Sequence, residues 1–228
     1  MNQPTTVVLA ISRQFASGGA FIGRAVAQRL GLRYADREIL HRAAEMSGAK
    51  LEDVEASEER VGSFWAAALR QYSLGTPEAP FVTPLPPPVY ERDLFDLESR
   101  IIREIASRVD AVIVGRGGFH VLADHPGLVS VRVHAAEDWR VRRAMSLYGL
   151  ASEKEARELI RRSDLERGKF IRTFTGKEWD DASSHHLCVD TGAIGLDLAA
   201  ELVVTLVAAR IRTRDAAARV APDGVPSA

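Results

Sequence analysis

The sequence predicts a three-layer α/β fold built on a mostly parallel, five-stranded sheet. Two observations predict it. Short runs rich in β-branched residues alternate with longer stretches whose apolar residues recur every three or four positions, the signature of parallel strands joined by crossover helices. The first run, TTVVLAI at residues 5–11, leads into a loop holding Gly18 and Gly19 and then into a helical period. At 228 residues, with 46% hydrophobic and 27% charged side chains, the chain can bury a sizeable core without disulfides or metals.

Residues 12–19 are expected as a loop. From about Ala20 a helix carries Ile22, Val26 and Leu30 on one face and stops at Gly31, where a C-terminal cap belongs. Residues 32–35 form a short second strand. Asp36 then suits the N-cap of a helix carrying Ile39, Leu40 and Ala43. Residues 48–74 read as broken helix. Residues 75–89 hold Pro77, Pro80, Pro84, Pro86, Pro87 and Pro88, which exclude a helix interior or a central strand and leave a loop. A strong helix over 91–108 places Leu94, Leu97, Ile101, Ile102 and Ile105 on its apolar side. AVIV at 111–114 is a buried strand ending in Gly115-Arg116-Gly117-Gly118, and 128–134 is another. Helices follow over 136–148, stopped by Gly149, and over 153–174, capped by Ser152. A last short strand at 187–189 and a helix over 197–212 close the fold. The expected organisation is one domain over 1–213, a substrate-side insertion at 48–92, a helical lid at 152–180 and a flexible tail at 214–228.

Composition removes several function classes. Thirty basic and 31 acidic residues give a net charge of -1, so no global field draws nucleic acid or an anionic membrane. No run approaches the roughly 18 apolar residues of a membrane span. The N-terminus lacks the basic start and long apolar core of a signal peptide, so the cytoplasm is the expected compartment. The single cysteine, Cys188, cannot form an internal disulfide, and its run Leu187-Cys188-Val189 predicts a buried thiol. No His/Cys cluster has metal-ligand spacing, so no protein metal site is expected, and His185-His186 reads as a loop feature.

Chemistry concentrates where the first strand meets the first helix. Free amides and the helix dipole make such a turn an anion site, and glycines let the backbone approach a phosphate. Against the pattern G-x-x-x-x-G-K-[ST] two registers are open. One aligns Arg13, Gly18 and Gly19 with glycine, glycine and lysine. The other aligns Gly18 and Gly23 with the glycines and Arg24 with the lysine. The first is preferred because its loop begins directly after the strand. On pattern alone, a structural strand–turn–helix and a phosphate site fit equally.

The run Ile11-Ser12-Arg13-Gln14-Phe15-Ala16-Ser17-Gly18-Gly19-Ala20-Phe21-Ile22-Gly23-Arg24 resembles the opening of the cytidylate kinase-like family, I-S-R-Q-[YF]-G-S-G-G-x-x-I-G. Three further stretches are similar in order and spacing: Tyr34 to Leu40 (YADREIL), Val112 to Gly117 (VIVGRG), and Asp164-Leu165-Glu166-Arg167 followed by Thr175-Gly176. The resemblance spans roughly residues 6–207 and implies a P-loop-type fold in which the ATP γ-phosphoryl passes to a nucleoside monophosphate, CMP or dCMP first. Such chemistry rests on positioning and charge neutralisation, with Mg²⁺ bridging phosphates. It implies that Ser17, Gly18 and Gly19 cradle the ATP phosphates, helped by Arg13, Arg167 and Thr191. Arg116 and Arg167 would be catalytic, and Asp36, Arg116 and Asp164 would contact the acceptor.

Three positions depart from the true cytidylate kinases: Gly19 stands for their lysine, Phe21 for a threonine that holds Mg²⁺, and Gly117 for an aspartate that approaches the acceptor. For Asp36, a plain N-cap is the equal alternative. Arg140 matches a family arginine, whereas Arg142 and Arg143 default to a salt-bridged surface. Residues 132–172 carry eleven Lys/Arg and seven Asp/Glu, a local excess of positive charge that suits a lid over ATP. Two other readings stay open: a nucleotide-binding module without transfer activity, and a P-loop kinase for another small molecule.

Overall fold

A computed structural model describes residues 5–35 and 88–220. The elements run β1 (Val8–Arg13), α1 (Gly19–Leu30), β2 (Arg33–Ala35), α2 (Pro88–Arg108), β3 (Ala111–Val114), a short α3 (Gly118–Val121), β4 (Leu128–His134), α4 (Glu137–Tyr148), α5 (Glu153–Thr175), a 3₁₀ turn (Ala182–Ser184), β5 (Leu187–Asp190), a short α6 (Thr191–Ile194) and α7 (Leu196–Val220). The five strands form one sheet in the order β2-β3-β1-β4-β5. Every pairing is parallel, with Val8 opposite Ala111 on one side and Leu128 on the other.

Alternation along β1 builds two cores. Leu9 and Ile11 face α1 and α7, packing with Ile22, Val26, Val203 and Val207. Val8 and Ala10 face α2, packing with Ile101, Ile102, Ile105 and Phe119. A strand covered on both faces must be apolar at every position, which is why β1 and β3 read as unbroken runs rather than alternating ones. Gly23, unusual inside a helix, lets α1 lie against the sheet. A Cβ there would fall 2.9 Å from Val114 Cγ2.

The structure differs from the expected boundaries where side chains face something other than the core. β1 continues through Ser12 and Arg13, read as loop, because the ladder to β4 runs on to Arg13 opposite Val133. These two side chains line a cleft. The closing helix continues beyond Arg212 to Val220, so residues 214–220 are helical rather than a tail. Arg214 fixes it, its Nη1 donating to both oxygens of Asp110 at 2.6 and 2.7 Å. Cys188 is exposed, not buried. Its strand is the sheet edge, and alternation turns Val189 to the core and Cys188 away from it. α2 opens on Pro88, inside the expected loop, consistent with the preference for proline in a first helical turn. The expected helices following Asp36 and over 48–74, and the rest of the proline-rich loop, lie outside the described residues. Among the described residues no helix is long and apolar enough to cross a membrane.

Candidate active site

The turn between β1 and α1 is held from outside. The Gln14 N–H donates to Val133 O at 3.0 Å, and its Oε1 accepts from the Ala135 N–H at 3.1 Å, joining the loop to the end of β4. Phe15 is fully buried and stacks on Tyr148 with centroids 5.3 Å apart, in a third apolar cluster with Val141, Ala144, Ala156 and Ile160 of α4 and α5. The Ser17 hydroxyl lies 2.9 Å from Gln14 O and 3.1 Å from Val133 O, so its one proton serves backbone carbonyls of the loop and of β4. The Ser17 carbonyl in turn accepts from the buried Thr191 hydroxyl at 2.7 Å. The first intrahelical bond of α1 runs from the Ile22 N–H to Gly18 O, so the amides of Gly19, Ala20 and Phe21 have no acceptor within the helix. These amides line a cup with the helix dipole behind them, an arrangement whose chemistry suits an anion.

The cup is not plugged by an aromatic ring: Phe15 points into the apolar cluster, and Phe21 is 36% exposed. Leu196 lies on one flank of Gly18, where a Cβ would collide with it, and Arg143 Nη2 reaches within 4.0 Å of the same point. Ala16 adopts φ 58°, a left-handed conformation that disfavours a Cβ, at a position where the family pattern has glycine. Ala16→Gly is expected to raise unfolding stability by about 1 kcal/mol, read by denaturant titration. An unchanged midpoint would mean that the left-handed turn carries no strain.

Beside the cup, at the carboxyl ends of β1 and β3, lies a small cleft that is partly open to solvent. Arg13, Arg116 and Arg167 all line it, from β1, the loop after β3, and α5 respectively, with Phe119, Phe170 and Trp179 as aromatic walls. The stem of Arg13 packs on Gly19, whose Cβ would sit 2.6 Å from Arg13 Cβ, and its guanidinium covers Gly115. A side chain at position 19 is therefore incompatible with Arg13 as placed. Gly115, Arg116 and Gly117 adopt φ of 82°, 54° and 66°, three left-handed residues in succession. Such strain in a non-glycine residue persists where the surroundings over-determine it, typically at functional sites. Beneath Arg116 lies Glu98, 1% exposed, with Oε1 3.3 Å from Arg116 Nη1.

A second charged group couples α5 to the cup. Asp164 accepts from the Phe15 N–H at 2.7 Å and from Arg140 Nη1 at 2.5 Å, and Arg167 Nη1 lies 3.4 Å from it. Arg140 also donates to Ala135 O and Phe15 O, at 3.0 and 3.3 Å. A carboxylate between two buried guanidinium groups neutralises charge that would otherwise be expelled from the interior.

A profile of the cytidylate kinase-like family matches residues 8–193. The chain belongs to the cytidylate kinase-like family. Membership in this family supports a kinase-type phosphotransferase. Among solved structures, an uncharacterized protein from Eubacterium ventriosum ATCC 27560 is 19% identical with a TM-score of 0.63, over 89% of this chain and 98% of that one. TT1252 from Thermus thermophilus is 18% identical with a TM-score of 0.51, over 88% and 97%. Both show likeness of fold. No curated protein matches the sequence.

In this kinase-like chain the expected site residues take distinct places. Arg13, Arg116 and Arg167 meet at the cleft, and Gly18 and Gly19 form the start of the cup. Ser17, Asp164 and Thr191 are held in hydrogen bonds that shape the loop. Asp36 lies outside the described residues. Arg24 sits over the Tyr34 ring at 4.9 Å. Sequence reasoning missed Glu98, although a carboxylate on the apolar stripe of Leu94, Ile101 and Ile105 was a legible signal. It also missed Trp179, whose carbonyl accepts from Arg132 Nη1 at 2.7 Å beneath a cation–π contact of 4.8 Å. No periodicity marks that residue. Position 117 faces Ile171 Cδ1 at 3.4 Å and Phe95 Cε2 at 3.6 Å from where a Cβ would stand, an apolar surround unsuited to the aspartate of the true cytidylate kinases.

Proposed function

We propose that this protein transfers the γ-phosphoryl of ATP to a nucleoside monophosphate, with CMP or dCMP as the first acceptor. The observation that carries the reading is the convergence of Arg13, Arg116 and Arg167, distant in sequence, on one cleft beside the amide cup. A transferring phosphoryl needs fixed positive charge and little covalent help, and preorganised guanidinium groups supply it. The amides of Gly19, Ala20 and Phe21 receive the ATP phosphates. Arg13, whose stem fills the space beside Gly19, brings the charge that a lysine there would have brought. Arg116 clamps the acceptor phosphate, and Arg167 on α5 bridges toward the phosphoryl in flight, with α5 serving as the lid. Ser17, Asp164 and Thr191 act by holding the loop. Among the described residues no group of three His, Cys, Asp or Glu side chains could hold a metal ion. Mg²⁺ would enter with the phosphates, as part of the MgATP substrate.

A coupled assay for ADP with ATP, Mg²⁺ and a panel of nucleoside monophosphates tests this. ADP formation above the ATP-only rate with CMP or dCMP is the expected result. One set of observations favours a second reading, a nucleotide-binding module without transfer. Position 19 has no room for a lysine, and position 117 is walled by apolar side chains. Measurable ATP binding by calorimetry with no ADP from any acceptor would establish that reading instead. Turnover with a non-nucleotide hydroxyl acceptor alone would keep the phosphotransferase and replace the substrate.

A further inference from the structure

Among the described residues, Glu98 is the charged side chain whose position is hardest to account for by packing alone. It lies on α2 with Ile101, Ile102 and Ile105, is 1% exposed, and neither carboxylate oxygen accepts a hydrogen bond. An ionised carboxylate in that setting is destabilising unless a counter-charge holds it. That counter-charge is Arg116, 3.3 Å away and itself on a strained left-handed backbone. Glutamine or leucine at 98 would avoid the penalty, and glycine at 116 would avoid the strain. The pair persists beside a cleft that gathers two more guanidinium groups, Arg13 and Arg167.

We propose that Glu98 is a positioning residue for Arg116 and takes up a proton when a tetrahedral oxyanion binds in the cleft. The proposal rests on Arg116 being an anion ligand, as argued above. Without an anion, Arg116 opposes the effect of burial and favours the charged form of Glu98. A dianion at Arg116 claims the same positive charge and leaves Glu98 facing net negative potential in a dry environment. One solvent proton then converts the carboxylate to the acid, and the guanidinium turns wholly to the anion. Burial already pushes the Glu98 carboxyl above the usual carboxylate range, with Arg116 opposing, so cancelling the opposition raises it further. Among the described elements packed on α2, β3 presents no titratable side chain. α3 brings His120, lowered to about 4 mainly by burial and hence neutral near pH 7, and α5 brings Arg167. The complex then holds more protons than the free protein, so anion affinity falls as pH rises, by at most about tenfold per pH unit for one proton.

Sulfate is the probe, because it stays dianionic across the range. Its binding is followed by calorimetry between pH 5 and 8, in two buffers of different ionisation enthalpy. Wild type should take up a fraction of a proton per sulfate and lose affinity with rising pH. Glu98→Gln, close to isosteric, should bind sulfate with a smaller proton uptake and a flatter pH profile. As a second readout, the ¹³C resonance of the Glu98 carboxyl should move toward its protonated position on sulfate addition. Uptake and pH profile unchanged in Glu98→Gln, or an immobile carboxyl resonance, would overturn the proposal while leaving the anion site standing. Sulfate binding indifferent to Arg116→Ala would remove the anion site itself, and the proton linkage with it.

Discussion

Asp164→Ala is expected to destabilise the protein by about 3–5 kcal/mol, the penalty for removing one member of a buried charge network. For a chain of this length that corresponds to a melting temperature lower by roughly 10 °C. The reason is arithmetic of charge. Arg140 and Arg167 are 6% and 7% exposed, and Asp164 is the carboxylate between them. Its loss also frees the Phe15 N–H, whose bond to Asp164 helps fix the loop between β1 and α1. Asp164→Asn keeps an acceptor for Phe15 but not the charge, so its loss should be intermediate. Thermal melts of the two variants measure this, and an alanine variant that melts within a degree of wild type would refute the network. Because the same carboxylate ties α5 to the loop, any surviving activity in Asp164→Ala should show a raised KM for ATP.

The second large effect belongs to Arg116. Arg116→Ala should lower kcat/KM by about 10²–10³-fold, the usual consequence of removing one preorganised donor to developing charge. Arg116→Gly should be as inactive but more stable than Arg116→Ala by about 1 kcal/mol, because glycine accepts the φ of 54° without a Cβ penalty. Either variant leaves Glu98 buried without its counter-charge. A carboxyl whose folded pKa is raised binds its proton more tightly in the folded than in the unfolded chain. The stability of both variants should therefore decline as pH rises above the usual glutamate range, by up to about 1.4 kcal/mol per pH unit. Adding Glu98→Gln should flatten that decline. Equal kcat/KM in wild type and Arg116→Ala would remove Arg116 from the reaction.

The three layers were legible because burial on both faces demands continuous apolar strands, and residues 7–11 and 111–114 have them. The caps at Gly31, Gly149 and Ser152 were legible for an equally local reason. The glycines adopt φ of 66° and 63°, and the Ser152 hydroxyl accepts from the Glu155 N–H at 3.2 Å. Cys188 was misread because a short apolar run does not say whether a strand is central or at the edge. The closing helix was cut short because the ion pair of Arg214 with Asp110 joins residues 104 positions apart, and no local pattern carries it.

By itself the sequence determined the strand–glycine turn–helix unit, the alternation that fixes a parallel sheet, and the arginines that follow two of its strands. These are consequences of local spacing and backbone chemistry. The tertiary structure alone decided which charges face one another. It set Asp164 against Phe15, Arg140 and Arg167, laid the stem of Arg13 over Gly19, and buried Glu98 under Arg116. Coulombic partnership depends on distance through space and on exclusion of water, and both come into being when the chain folds.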